Sequence, residues 1–178
     1  MFWKYDNIHQ NQVDWYESEI VRISQNNMNI IMNNFDDEEK PELLEKYYPV
    51  KSTAYFHIPL VEAKDTWFEL EANGFEATED AEYIDGIIGE TGKRVYCGIG
   101  EDDLFEKMVE MGSTKAIFNG HDHYNYATFS KSGIIFSYGH SVDYLAYIGI
   151  SKEGSQRGCT MITDRKSTRL NSSHLYTS

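Results

Sequence analysis

The 178 residues carry 29 Asp and Glu against 16 Lys and Arg, a net charge of −13, with 40% hydrophobic and 14% aromatic side chains. That is enough chain for one domain with a real core and too little for two comfortable ones. The acidic balance excludes a phosphate-tracking surface of clustered Lys and Arg, so no nucleic-acid partner is expected.

No apolar run reaches the roughly 18 residues that a membrane-spanning helix needs, and the chain is expected to be soluble, without a membrane segment. Met1 to Asp6 lacks the basic stretch, apolar run and small-residue cleavage site of an export leader. The natural start is expected to lie upstream, which leaves the compartment open. Cys97 and Cys159 stand far apart and outside any CxxC or CxxH spacing, so buried free thiols are expected rather than a zinc knuckle or redox pair.

In chain order, the first element is a helix capped by Asn11, with Asp14 in its first turn and Val13, Tyr16, Ile20 and Ile23 recurring on one face. The segment Asn33 to Lys46 contains Asp36-Asp37-Glu38-Glu39 and reads as a solvated loop entering a short helix, with Pro41 near its first turn. Ser52 to Phe56 is a short apolar and aromatic strand ending at His57. Val61 to Asn73 is helical and stopped by Gly74, and Phe75 to Gly100, rich in glycine and acids, is an irregular excursion. Asp102 to Met111 is a second clear helix, ended by Gly112. Lys115 to Asn119 is a buried strand that runs straight into Gly120-His121-Asp122-His123.

Tyr126 to Ser130 and Gly133 to Tyr138 pair around a tight turn at Lys131-Ser132-Gly133, and Gly158 to Thr163 is a further strand. Helices alternating with strands, then an antiparallel run, predict an α/β fold with a mixed sheet. Residues 164–178 are polar, Ser/Thr-rich and without periodicity, and are expected to be disordered. The stretch from Asp164 to His174 resembles, residue for residue, the translation of a common sequencing-library adapter, so the natural portion is expected to be residues 1–163. Removing the tail, which carries one acid and three bases, leaves 28 acidic and 13 basic side chains, a net charge of −15.

Two imidazoles one residue apart can bind one metal ion or point at two neighbouring ions when a turn after a strand aims both into one crevice, and Gly120 makes such a turn sterically easy. His57 directly follows another strand, and ligands of open α/β sheets gather beyond the carboxyl ends of strands. Each residue also has a plainer reading. A lone HxH is more often structural than ligating, His57 beside Pro59 fits a hydrogen-bonded turn, Asp122 a turn-stabilising carboxylate and Asn125 a loop-holding amide. Only their joint occurrence favours a metal.

Phe56-His57-Ile58-Pro59-Leu60, Leu104-Phe105-Glu106-Lys107-Met108-Val109-Glu110-Met111-Gly112 and Lys115-Ala116-Ile117-Phe118-Asn119-Gly120-His121-Asp122-His123-Tyr124-Asn125 resemble the C-terminal half of calcineurin-like metallophosphoesterases, in particular the purple-acid-phosphatase-like subgroup. The helix around Gln12-Val13-Asp14-Trp15-Tyr16 is similar to the one after that family's central metal motifs, and Arg157-Gly158-Cys159-Thr160-Met161-Ile162 to its last strand. The resemblance spans residues 8 to 163. It implies a sandwich of two mixed β-sheets flanked by helices, with the N-terminal half of the domain lying outside this sequence.

Carried over residue by residue, the resemblance makes His57 and His121 ligands of one divalent ion and His123 a ligand of a second, the ions being Fe, Mn or Zn. Asp122, Asn125 and His140 would stand behind the ligands or beside the substrate. The implied reaction is two-metal hydrolysis of a phosphorylated substrate. The family's DxH, GDxxD-like and GNH[DE] motifs, which bring the bridging Asp, an Asn ligand and the general-acid His, are not present here, so the catalytic residues are expected upstream. His9, in Asn7-Ile8-His9-Gln10, does not resemble GNHD. Tyr138-Gly139-His140-Ser141 lacks the Arg that many relatives show in this loop, and His140 reads more readily as an ordinary loop histidine than as a substrate-side residue. The chain alone is therefore expected to be inactive. The alternative is a catalytically silent metal-binding or protein-interaction module on the same fold. A different HxHxDH hydrolase is disfavoured because Tyr124-Asn125 follow His123.

Overall fold

A computed structural model describes residues 5–90, 92, 94–100, 102–144 and 157–163; the adapter-like tail, 164–178, lies outside them. The chain opens on α1 (Gln10–Asn34), where Val13, Ile20 and Ile31 are buried and Trp15, Val21 and Ile30 face outward. His9 rather than Asn11 is the cap residue, and its backbone N–H donates to Gln12 Oε1 at 2.9 Å. A side chain three residues on thus satisfies the backbone at the helix start, where the expected cap has no part. Beyond the acidic loop comes α2 (Lys40–Tyr47), with Pro41 in its first turn. Two further helices follow, α3 (Val61–Ala72) and α4 (Leu104–Met111); α4 buries Leu104, Phe105 and Met108 and stops at Gly112, φ 62°, a left-handed position that glycine takes without a side-chain penalty.

The strands are β1 (Ser52–Tyr55), β2 (Ala81–Asp85), β3 (Thr114–Asn119), β4 (Thr128–Lys131) and β5 (Ile134–Tyr138), in one sheet of order β1-β3-β5-β4-β2. β1, β3 and β5 run parallel, while β4 is antiparallel to β5 and to β2. The β4–β5 turn places Ser132 at φ 49° and Gly133 at φ 77°, the positive pair that a two-residue hairpin turn demands. The fold is thus α/β with a mixed sheet, as the alternation of elements predicts.

Register and alternation divide the sheet into two faces. Ala54, Ile117, Phe136 and Phe129 lie side by side across four strands. They join Val13, Trp67, Leu70, Leu104, Phe105 and Met108 of the helices in one core, in which Phe105 stacks on Phe136 and Trp67 tilts against Phe129. The next row, Tyr55, Phe118, Ser137 and Thr128, points the other way with Thr53 and Ile135. On that face Tyr55 stacks on Phe118 at 5.1 Å yet stays 61% exposed, and Ile135 is 37% exposed.

Two expectations of secondary structure are corrected. The excursion from Phe75 to Gly100 contains β2, whose pairing with β4 is fastened by Lys131 Nζ reaching Glu69 at 2.9 Å and Asp80 at 3.1 Å. Residues 157–163 form no strand and instead lie against the loop after β5, with Gly158 N–H donating to the Ser141 carbonyl at 3.1 Å. The described residues form one sheet, so the second sheet of the expected sandwich is not built from them. Both cysteines are free, Cys97 buried as expected and Cys159 exposed.

Candidate functional site

The carboxyl ends of β1, β3 and β5 meet at one edge of the sheet, and the ladder continues past the strand ends into the histidine-bearing segments. Phe56 N–H donates to the Phe118 carbonyl at 3.2 Å, Gly120 N–H to the His57 carbonyl at 3.1 Å, and Gly139 N–H to the Asn119 carbonyl at 2.9 Å. The buried Asn119 side chain adds an Nδ2 bond to the Phe56 carbonyl at 3.0 Å. Backbone pairing therefore sets the spacing between His57 and the Gly120–His123 turn.

His57 and His121 face each other edge-on with ring centres 5.3 Å apart. The backbone that achieves this differs from expectation. The left-handed residue of the turn is His121, φ 70°, whereas Gly120 leaves room for His57, since a Cβ there would sit 3.2 Å from His57 Nδ1 and press on the ring by a few tenths of an ångström. A non-glycine residue in this region is uncommon, and histidine is among the residue types that tolerate it. The Tyr5 ring closes on His121 from another side, centres 4.4 Å apart.

His123 turns to a different partner. Its Nδ1 lies 2.7 Å from Oδ2 of Asp143, in the loop after β5. Between the two histidines Asp122 is buried and accepts from Tyr138 Oη at 2.7 Å, Asn125 Nδ2 at 2.9 Å and Tyr96 N–H at 3.1 Å. Asn125, also buried, bonds the Arg94 carbonyl through Nδ2 and accepts from Glu90 N–H through Oδ1. Asp122 and Asn125 thus stitch the 86–98 loop to the turn. His140 is exposed and stacks on Tyr126, centres 5.4 Å apart.

Burial lowers the His121 pKa, and the charges of His57 and His123 lower it further while Glu90 opposes them. The imidazole is thereby biased to the neutral form that binds metal. Burial pushes Asp122 up to about 6 against the pull of its hydrogen bonds, and burial with the adjacent Asp122 charge raises Tyr138 well above its ordinary value. A cleft of about 250 Å³ opens beside His57, lined among others by Asp6, His9, Phe56, Gly98 and Asp102.

Two imidazoles on one tetrahedral ion, at metal–nitrogen distances of about 2.0–2.1 Å, hold their ring centres roughly 5 Å apart. The spacing of His57 and His121 and the neutral bias of His121 fit such an ion. Among the described residues, however, no group of three or more His, Cys, Asp or Glu side chains is placed to hold a metal, so these histidines do not close a coordination shell by themselves. Asp143, Tyr5 and Tyr96 were not singled out in the sequence. Asp143 lies 20 residues from its histidine and Tyr5 in a segment without periodicity, so neither had a local signal.

No family model matches the chain, and no solved structure matches it. The chain is similar to probable inactive purple acid phosphatase 28 of Arabidopsis thaliana, 32% identical over 94 residues. The match takes in 53% of this chain and 20% of that protein, so the chain spans about one fifth of its relative's length. The likeness is to a relative named as a phosphatase and described as inactive. Among the described residues no helix is long and apolar enough to cross a membrane.

Proposed function

We propose that this chain is the C-terminal part of a metal-dependent phosphoesterase domain, in which His57 and His121 ligate one divalent ion and His123 a second. The observation that supports it best is the His57–His121 pair, 5.3 Å apart on two segments locked by backbone hydrogen bonds at the carboxyl edge of parallel strands. The ions, Fe, Mn or Zn, would polarise phosphoryl oxygens and supply a hydroxide nucleophile when bound. The chain's own contribution is to present neutral imidazoles at fixed spacing and to hold the turn with Asp122, while His140 stays at the solvent side. The bridging carboxylate, the remaining ligands and the general acid come from sequence outside this chain, so the chain alone is inactive. The substrate is a phosphoric ester, monoester or diester, and the acidic balance argues against a nucleic-acid surface.

Elemental analysis of the purified chain, with zinc titration of wild type and His121→Ala, tests the half-site. Wild type is expected to retain or bind zinc at micromolar supply, and His121→Ala to lose it. Wild-type protein that neither co-purifies with metal nor binds zinc at that supply sinks the reading. Hydrolysis of para-nitrophenyl phosphate and its bis ester by a longer protein carrying the upstream sequence tests the reaction. The relative is described as inactive, and this favours a second reading, a silent metal-binding or interaction module. Zinc binding without hydrolysis of either ester by the longer protein would select it.

A further inference from the structure

We infer that Asp143 is a positioning residue for His123, fixing the imidazole as its Nδ1–H tautomer and so making Nε2 the nitrogen that carries the lone pair. The inference rests on the proposed function in assigning that lone pair to a metal ion. An ionised carboxylate can only accept, so in the 2.7 Å contact between His123 Nδ1 and Asp143 Oδ2 the ring nitrogen must donate. A neutral imidazole has one N–H, and placing it on Nδ1 settles which nitrogen can act as a ligand. Ligating histidines characteristically give their other ring N–H to a carboxylate or carbonyl, which sets both tautomer and ring orientation.

The backbone that carries this carboxylate is held on both sides, which sets the contact apart from a chance surface pair. The Asp143 side chain is 20% exposed. Its backbone N–H donates to Ser141 Oγ at 3.1 Å, and its carbonyl accepts from Arg157 Nε at 2.6 Å. The Arg157 guanidinium also lies over the Tyr144 ring, 4.6 Å from its centre, and His140 N–H donates to Thr160 Oγ1 at 3.2 Å. Residues 157–160, expected as a strand, thus brace the loop that carries Asp143. His121 is placed by its own backbone and by Tyr5, whereas His123 is placed by this side-chain contact.

Long-range proton–nitrogen correlation spectra of the labelled chain at mildly alkaline pH report the tautomer of each histidine. Wild-type His123 is expected in the Nδ1–H form. Asp143→Ala should shift it towards the Nε2–H form that free imidazole side chains favour, and Asp143→Asn, whose amide N–H can donate to Nδ1, should shift it at least as far. In the longer protein that carries the upstream sequence, zinc titration should show the second site about 10- to 100-fold weaker in Asp143→Ala and in Asp143→Asn, the usual effect of removing such a partner. A wild-type His123 in the Nε2–H form overturns the inference without any variant. So does an unchanged tautomer in an Asp143→Ala protein whose amide spectrum shows a native fold. Should wild type bind no zinc while the tautomer follows Asp143, the metal reading fails and the positioning role stands. Zinc binding with a tautomer indifferent to Asp143 removes the positioning role and leaves the metal reading standing.

Discussion

The two faces of the sheet share the same strands and are finished differently. On the helix side, Ile117, Phe129 and Phe136 are 0–2% exposed and interlock with rings and aliphatic chains from α1, α3 and α4. On the opposite side Tyr55 and Ile135 keep much of their surface in water. The helix-side face is an ordinary core in which each methylene is in contact, whereas the other offers apolar surface that a further layer would cover. Stability and function therefore draw on different regions, since the candidate site sits at the sheet's carboxyl edge, where the two faces meet.

The sharpest test of this contrast is Phe136→Ala, which should open a cavity between Phe105 and Phe129 and cost about 3–5 kcal/mol by urea denaturation. Asp122→Ala acts at the edge. Losing the acceptor of the Tyr138 hydroxyl and the Asn125 amide should cost about 1–3 kcal/mol, with little change in helix content by circular dichroism. A smaller effect is expected in the helix layer at Glu62. Burial there, helped by the nearby carboxylates of Glu106, Asp102 and Asp65, raises its pKa to about 7. The folded state then holds a proton that the unfolded state releases from about pH 4.5 upward, so stability is full below that point, declines until about pH 7 and stays reduced above it. Glu62→Gln should abolish this decline and gain on the order of 1 kcal/mol at about pH 8, allowing for solvent screening, in denaturation curves recorded from about pH 4 to 8. The smallest change is Tyr55→Ser on the open face, expected within about 0.5 kcal/mol of wild type in stability. A loss comparable to that of Phe136→Ala would break the contrast between the faces.

What the sequence revealed followed the range of the forces involved. Helical spacing exposed α1 and α4, and the apolar runs exposed β1, β3 and β5, because burial of a periodic face is written locally. β2 was missed because its acidic residues and flanking glycines look like loop, and only pairing with β4 makes it a strand. The segment 157–163 failed the other way, its β-formers bracing a loop instead. At the candidate site, strand ends and the HxH spacing pointed to His57, His121 and His123, and the sheet brings the first two together. Asp143 was not legible, because a contact across 20 residues has no signature in either of its neighbourhoods. Gly120 was noticed for the wrong reason, since its missing side chain makes space for His57 while His121 makes the turn.

The run of backbone bonds from Phe56–Phe118 to His57–Gly120 acts as the joint of a calliper whose jaws are two imidazoles. Folding of the sheet has already spent the chain entropy needed to set the gap, so an ion held there as proposed would order little more than the two rings. The affinity of the proposed ion would then depend on the integrity of a parallel ladder several residues away, and loosening β1 at Ser52 or Thr53 would weaken it without touching either imidazole.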